Sequence, residues 1–350
     1  MVQYLYKSLN FQYKIMQTPC DKTGKMILAT TEEELFNMII DANHPFRRIN
    51  DLLDFETLTN PMRACYSTLG ANGIDVTRGV KALMIQFWEN YSDREMEKAI
   101  KENLAIRWFC GFGLSEQTPD YSYFSKLRKR IGTKRIADLF KTVNEVFESY
   151  GLFGNTFTFV DASSVITKTA LWKERDEALT DGEKKLNNAV VEKYAADKDA
   201  RFGSKSKTSH WFGYKRHEAV DMRHGLVRKV AVTSAEVLDF QAVKSVLPKA
   251  GAVLMDKGYD TAETDNVFRA RGLHVMTLRK NNNKKKNKDF DRWVSKTRMP
   301  FECSFSKVEK RARYRGRAKV TLQCFLEAIV HNMKKAVRFV SPEISLLAHA

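Results

Sequence analysis

Three carboxylates give the first indication of chemistry. Asp161 follows Thr156-Phe157-Thr158-Phe159-Val160, a β-branched and aromatic run that predicts a short strand ending at the acid. Asp256 follows Ala252-Val253-Leu254-Met255, which reads as a buried strand. It opens Asp256-Lys257-Gly258-Tyr259-Asp260, where Gly258 is expected to permit a tight turn and Lys257 sets a cation beside the acid. Open α/β sheets place ligand chemistry at strand ends. An acid there also commonly starts a turn or caps a helix, so neither decides alone. Glu302 lies four residues after Arg298, early in a helix expected from about Pro300 to Arg313. Together the three acids form an oxygen-only ligand set of the kind that suits Mg²⁺. Two such ions about 3.5–4 Å apart assist an in-line phosphoryl displacement.

Charge points to the same chemistry. The 350 residues carry a formal net charge of +17. Between Arg279 and Lys319 sixteen basic residues face four acids, so most of the excess surrounds Glu302. Arg311, Arg313, Arg315 and Arg317 alternate with Ala312, Tyr314 and Gly316. Arginine forks match phosphate oxygens, and a tyrosine can stack on a base or sugar. The expected partner is a polyanion, most naturally nucleic acid. The Lys284–Lys288 run reads equally as a solvated loop or as part of a binding wall.

Other chemistries are poorly served. There is no phosphate-binding GxxxxGK[ST] loop, no HExxH and no GxSxG, and Gly111-Phe112-Gly113 lacks the rest of a dinucleotide fingerprint. The seven histidines lack close ligand spacing, and the five cysteines include no CxxC pair. No nucleotide cofactor is therefore expected. No stretch reaches the ~18 apolar residues of a membrane span, and no charged and apolar leader is visible. The expectation is a soluble cytoplasmic protein without a membrane partner, nucleoid-associated when bound to DNA.

The elements that must position these residues fall into two sets. Residues 1–44 form a segment of unclear role, and 45–150 read as helical. Val80, Leu83, Met84, Phe87 and Trp88 mark one helix face. Ser92-Asp93-Arg94-Glu95 has capping-box spacing, and Thr118-Pro119-Asp120 is a start signal with the proline in a first helical turn. Phe124, Leu127 and Ile131 share a face that leaves Lys126, Arg128, Lys129 and Arg130 off it; Gly132 ends that helix. This basic helix–turn–helix flavour predicts a DNA-binding domain. Residues 151–340 alternate strands and helices, with a polar insertion at about 167–209, strands at Trp211–Ala219 and Leu226–Thr233, and a hairpin turn between them. A helix at Glu236–Leu247, another at Thr261–Arg271, a strand at His274–Leu278 and a helix at Val320–Phe339 follow. That order gives an α/β mixed sheet with flanking helices, preceded by an all-α domain and followed by a tail at 341–350.

These residues resemble a known group. VDASSV around Asp161, LMDKGYD around Asp256 and RMPFE from Arg298 to Glu302 resemble the DDE triad of bacterial insertion-sequence transposases, more narrowly the IS-five family. SDREMEKAI, RWFCGFGL and PDYSYFSKLRKRIG resemble its N-terminal helical domain. FGYKRHEAVD with HGLV, then RYRGRAK and a helix carrying His331-Asn332-Met333, resemble the remainder. The resemblance covers roughly His44 to Phe339. It implies an RNase H-like catalytic domain with Asp161 on the first strand, Asp256 on the fourth and Glu302 on a later helix. The three acids would hold two Mg²⁺ ions, with Mn²⁺ as a substitute. Arg298 would grip a phosphate near the cut. A related form of the motif has Tyr at the place of Ser295 and Lys at that of Glu309; Lys307 or Lys310 stands nearby. Lys257, Lys307, Lys310, Arg311, Arg313, Arg315 and Arg317, with Lys126, Arg128, Lys129 and Arg130, are the candidate DNA contacts. The implied activity is cleavage at terminal inverted repeats and joining of the freed 3′-OH to target DNA. It would be carried out on double-stranded DNA by a homodimer or larger assembly. A catalytically silent DNA-binding derivative and a structure-specific nuclease of the same fold are the alternatives.

Overall fold

The computed structural model describes residues 31–66, 73–168, 173–284, 286–306 and 310–340, without the side chains of 302–306. The chain divides into two compact units, Met1–Arg130 and Ile131–Ala350.

The first unit is helical among its described residues: α1 (Glu32–Ile39), α2 (Pro45–Leu52), α3 (Phe55–Thr59), α4 (Val76–Trp88), α5 (Asp93–Glu102), α6 (Leu104–Phe109) and the start of α7 (Tyr121–Ser149). Side-chain caps fix the starts. Ser92 and Glu95 form the expected capping box on α5. At α7 the cap is Asp120, which accepts from the Ser122 and Tyr123 N–H groups. Pro119 therefore precedes the helix instead of entering its first turn. On α4, Val80, Leu83, Met84 and Phe87 are buried and Trp88 is half-buried. Burying such side chains contributes roughly 1.5–3 kcal/mol each. Arg107 is buried too and donates to the Gly113 (2.7 Å) and Glu116 carbonyls, which explains the shape of the RWFCGFGL loop. Gly132 interrupts α7 with φ 74°, where the sequence places a break.

The second unit is built on a six-stranded mixed sheet. Its strands are β1 (Phe157–Ile166), β2 (Arg201–Ser206), β3 (Ser209–Asp221), β4 (Val227–Ser234), β5 (Ala252–Met255) and β6 (His274–Thr277). The order is β2-β3-β1-β5-β6, with β4 also on β3. β3 runs antiparallel to β1, β2 and β4, and β5 and β6 run parallel to β1. With helices packed on it, this is an RNase H-like sheet with one extra strand, β2. Gly213 shows how tight the β1–β3 pairing is: a Cβ there would meet the Val165 carbonyl at 2.1 Å.

Flanking helices are α8 (Lys173–Lys184) and α9 (Ala189–Tyr194) in the insertion, α10 (Asp239–Ala242), α11 (Ala262–Ala270), α12 (Lys288–Ser306) and α13 (Arg317–Phe339). Asn332 on α13 reads the β3–β4 connection. It accepts from Val227 N–H and donates to Val227 O, each at 2.7 Å, and donates to Asn144 of α7. His331 is paired with Gly225 O at 2.8 Å. The His331-Asn332 pair is thus part of the scaffold.

Four local expectations change. β1 does not stop at Asp161 but continues to Ile166, because β3 keeps pairing with it after β5 has ended. The polar insertion also contributes to the sheet: Arg201–Ser206 forms β2 along the β3 edge, with Phe202 and Gly203 buried and Ser204–Ser206 exposed. Glu236–Leu247 holds only α10 and a 3₁₀ turn at Val243–Ser245 before Pro248. The helix expected from Pro300 to Arg313 is shifted. α12 starts at Lys288, where Asn287 accepts from the Asp289 and Phe290 N–H groups, and it contains Pro300. Residues 310–312 instead lie extended on β1, with Ile166 N–H donating to Lys310 O (2.7 Å) and Ala312 N–H to Ile166 O (2.8 Å).

Candidate active site

Two of the acids are brought side by side by strand register. In the parallel β1–β5 pair Val160 faces Met255, so the next residues, Asp161 and Asp256, leave neighbouring strands at the same level. Asp161 is partly buried, and Asp256 is exposed at the start of the 3₁₀ turn Lys257–Tyr259. Each carboxylate is oriented by the next backbone N–H: Ala162 N–H donates to Asp161 Oδ1 at 2.8 Å, and Lys257 N–H to Asp256 Oδ1 at 2.6 Å. Among the described contacts no hydrogen bond reaches either Oδ2. Gly258 sits at ordinary φ, so the turn rests on the Asp256 cap and not on a left-handed glycine.

Arg298 comes from α12. Its Nη1 lies 3.5 Å from Asp256 Oδ1, and its guanidinium stands over the Phe159 ring at 5.5 Å. That places Arg298 against the acids. Glu302 lies one turn further along α12, late in that helix, and its side chain is outside the described residues. Among the described residues no three carboxylate, histidine or cysteine side chains gather as a metal cage. Lys307 and Glu309 lie outside the described residues.

Electrostatics mark Asp161. Burial pushes its carboxyl up to about 6; Ala162 N–H and Arg298 act the other way, and Asp256 and Asp239 add to the rise. A partly buried acid that resists ionisation beside a second acid is a site short of positive charge. A divalent cation on two carboxylate oxygens supplies that charge, so the donor set fits a hard metal ion.

A polar cluster that sequence reasoning missed lies beside these acids. Asp239, the first residue of α10, pairs with Lys215 Nζ at 2.9 Å. His217 is buried, lies 2.9 Å from Thr233 Oγ1 through Nε2, and has its pKa lowered to about 4, chiefly by burial. The buried Tyr259 hydroxyl has no hydrogen-bond partner among the described residues. Its pKa is raised well above the ordinary value by burial first and then by Asp239, Asp161 and Asp256. The available signal was an acid and a histidine on elements predicted to flank the same sheet.

Basic candidates differ in their surroundings. Lys257, Lys310, Arg311, Arg315 and Arg317 are exposed and Arg313 is half-buried. Gln323 brackets their segment by accepting from Arg313 N–H (2.8 Å) and donating to Arg311 O (3.1 Å). Asp199 accepts from Arg317 N–H at 2.9 Å and Asp197 from Gly316 N–H at 2.9 Å, so the insertion fixes the arm's other end. In the helical unit Lys126 and Lys129 are exposed, and Arg130 lies over Tyr66 at 4.6 Å. Arg128 donates to both Asp93 oxygens at 2.8 and 2.6 Å, with Gln86 as a further acceptor.

A family model described as "Transposase DDE domain" matches residues 153–333 of this chain, more than half its length. The chain belongs to the DDE transposase family. A second model, "Transposase domain (DUF772)", matches residues 33–130. The transposase is 27% identical over 264 residues to the transposase for insertion sequence element IS1106 of Neisseria meningitidis serogroup B, covering 66% of this chain and 89% of that one. Among solved structures it is similar to the Mos1 transposase paired-end complex with left transposon end at a TM-score of 0.18 and 7% identity. That match covers 78% of this chain and 81% of the other and is too slight to bear on the fold. Family membership makes the protein a DNA transposase, an enzyme dependent on divalent metal, and leaves its branch within the family open. Among the described residues no helix is long and apolar enough to cross a membrane.

Proposed function

We propose that this transposase cuts DNA at the terminal inverted repeats of a bacterial insertion sequence of the IS-five branch and joins the freed 3′-OH to target DNA. The observation that carries the reading is the level pairing of Asp161 and Asp256 at the β1–β5 step, with Arg298 against them. Asp161, Asp256 and Glu302 would hold two Mg²⁺ ions, with Mn²⁺ able to replace them. When bound, the ions would activate the attacking oxygen and stabilise the leaving one. The chain's own groups orient the substrate. Ala162 and Lys257 N–H groups fix the two aspartates, and Arg298 offers its guanidinium to a phosphate beside them. No serine or tyrosine nucleophile is needed.

In this reading residues 45–150 bind DNA through Lys126, Lys129 and Arg130, with Arg128 bracing the helix. Residues 151–340 form the catalytic domain. Lys257 and the arm Lys310, Arg311, Arg313, Arg315 and Arg317 contact the backbone of bound DNA, with Lys307 as a further contact. Two ends must be handled together, so a homodimer or larger assembly acts, in the cytoplasm and on the nucleoid.

A strand-cleavage and strand-transfer assay on a duplex carrying the element's own end tests this. Cleavage with Mg²⁺ or Mn²⁺ and transfer to a target plasmid are expected. Robust cleavage in EDTA, or binding without any cleavage under all metal conditions, would overturn it.

A further inference from the structure

Most large apolar side chains of the second unit are buried, yet α12 exposes three: Phe290 (38%), Trp293 (45%) and Met299 (62%). Phe290 and Trp293 have ring centroids 6.2 Å apart and planes only 26° from parallel. Phe157, at the start of β1, supports the Trp293 ring with a centroid distance of 6.4 Å. The indole is therefore held in place at one side and open at another. Around it on the same helix stand the exposed cations Lys288, Arg292 and Lys296, with one exposed acid, Asp289, paired to Arg292 at 3.2 Å. An aromatic face set among cations suits a polyanion with flat rings and does not suit a plain apolar protein partner.

The position matters as much as the exposure. Trp293 precedes Arg298 by five helical residues, a rise of about 7.5 Å. Phe157 precedes Asp161 by four strand residues, about 13 Å. These spans amount to roughly two to four base-pair steps at ~3.4 Å. A strand held at the acids would bring a base within a few nucleotides of the cut to this ledge.

We infer that Phe290 and Trp293 form a stacking site for one unpaired nucleobase of the DNA strand lying along α12. The inference rests on the reading that DNA runs past Asp161 and Asp256. In a duplex every base face is already stacked, so the site discriminates locally opened DNA from paired DNA.

The test uses two probes, a blunt DNA duplex and the same duplex ending in a short single-stranded tail that contains a fluorescent purine analogue. The wild-type protein is expected to quench the analogue and to bind the tailed probe more tightly. Trp293→Ala should lose the quench and weaken tailed-probe binding roughly 5- to 100-fold, leaving the blunt probe unaffected. Trp293→Leu restores bulk against Phe157 without an aromatic face and should behave like the alanine variant; Trp293→Phe should recover most of the signal. A leucine variant that quenches like wild type, or equal losses on both probes, would overturn the stacking site. Wild-type protein that binds the tailed probe without quenching it removes this inference alone. Wild-type protein that binds neither probe removes the DNA path as well.

Discussion

Two groups of acids with arginine lie on the central sheet, and they are built in opposite ways. Across the β1–β3 pair from Asp161 is Glu218, fully buried beside Arg216. Arg216 donates through Nε to Glu218 Oε1 at 2.7 Å and through Nη1 to Glu327 Oε2 at 2.5 Å. Gln323 completes the set by donating to Glu327 Oε1 at 2.8 Å. Burial works against the Arg216 charge, but its acidic neighbours, led by Glu218, leave its pKa above the ordinary arginine value. In the second group Arg298 lies 3.5 Å from Asp256 Oδ1 and favours the charged form of Asp161, and each aspartate keeps an oxygen without a hydrogen bond among the described contacts. The closed group ties β3 to α13 and, through Gln323, to the basic arm. The open group sets two acids against one arginine. Carboxylates on one sheet thus separate into scaffold and site according to whether the protein itself completes their partners.

The largest expected break in this comparison is catalytic. Asp161→Asn, Asp256→Asn and Glu302→Gln should each lower strand cleavage by roughly 10³-fold or more, with DNA binding retained. Cleavage kinetics beside a mobility-shift titration check this, and a variant that still cuts removes its residue from the site. On the closed side, Arg216→Met should leave two buried carboxylates unpaired and cost about 3–5 kcal/mol in urea unfolding. A loss below about 1 kcal/mol would show that the network is less closed than its geometry implies.

The open site should reveal itself by pH. Burial pushes the folded-state pKa of Asp161 up to about 6, above the ordinary carboxylate range, so the folded protein holds the proton more tightly than the unfolded chain. Its contribution to stability is therefore fully present below the ordinary carboxylate range, declines as pH rises towards about 6, and is flat above. The groups facing it are Arg298, which opposes the shift, and Asp256 and Asp239, which add to it. The loss should be no more than about 3 kcal/mol. Thermal unfolding in EDTA should show it in wild type and not in Asp161→Asn, which should be the more stable of the two at neutral pH. The smallest effects concern the cations. Lys310→Ala and Arg315→Ala should each flatten the salt dependence of DNA binding by about one counterion. Arg128→Ala should leave that slope unchanged and lower the stability of the helical unit.

What was legible in the sequence was local. The strand before each aspartate, the capping box at Ser92 and the break at Gly132 all follow from patterns within a few residues. Pairing across the sheet was not legible. Nothing near Asp161 shows that β3 carries its strand on to Ile166. Nothing at Arg128 announces Asp93, 35 positions away, and nothing at Arg216 announces Glu327, 111 away. Asp239 escaped notice for the same reason, since it reaches the site only when α10 packs beside β3. The α12 start was misplaced because a proline favours a first helical turn, whereas Asn287, thirteen residues before Pro300, supplies the cap.

On the proposed function the open carboxylates, and not the closed ones, would hold the divalent cation. Electron paramagnetic resonance of Mn²⁺ titrated into the full chain tests it most directly. Bound Mn²⁺ is predicted for the wild type and its loss for the Asp161→Asn/Asp256→Asn double variant. Equal Mn²⁺ uptake by the two proteins would contradict the account.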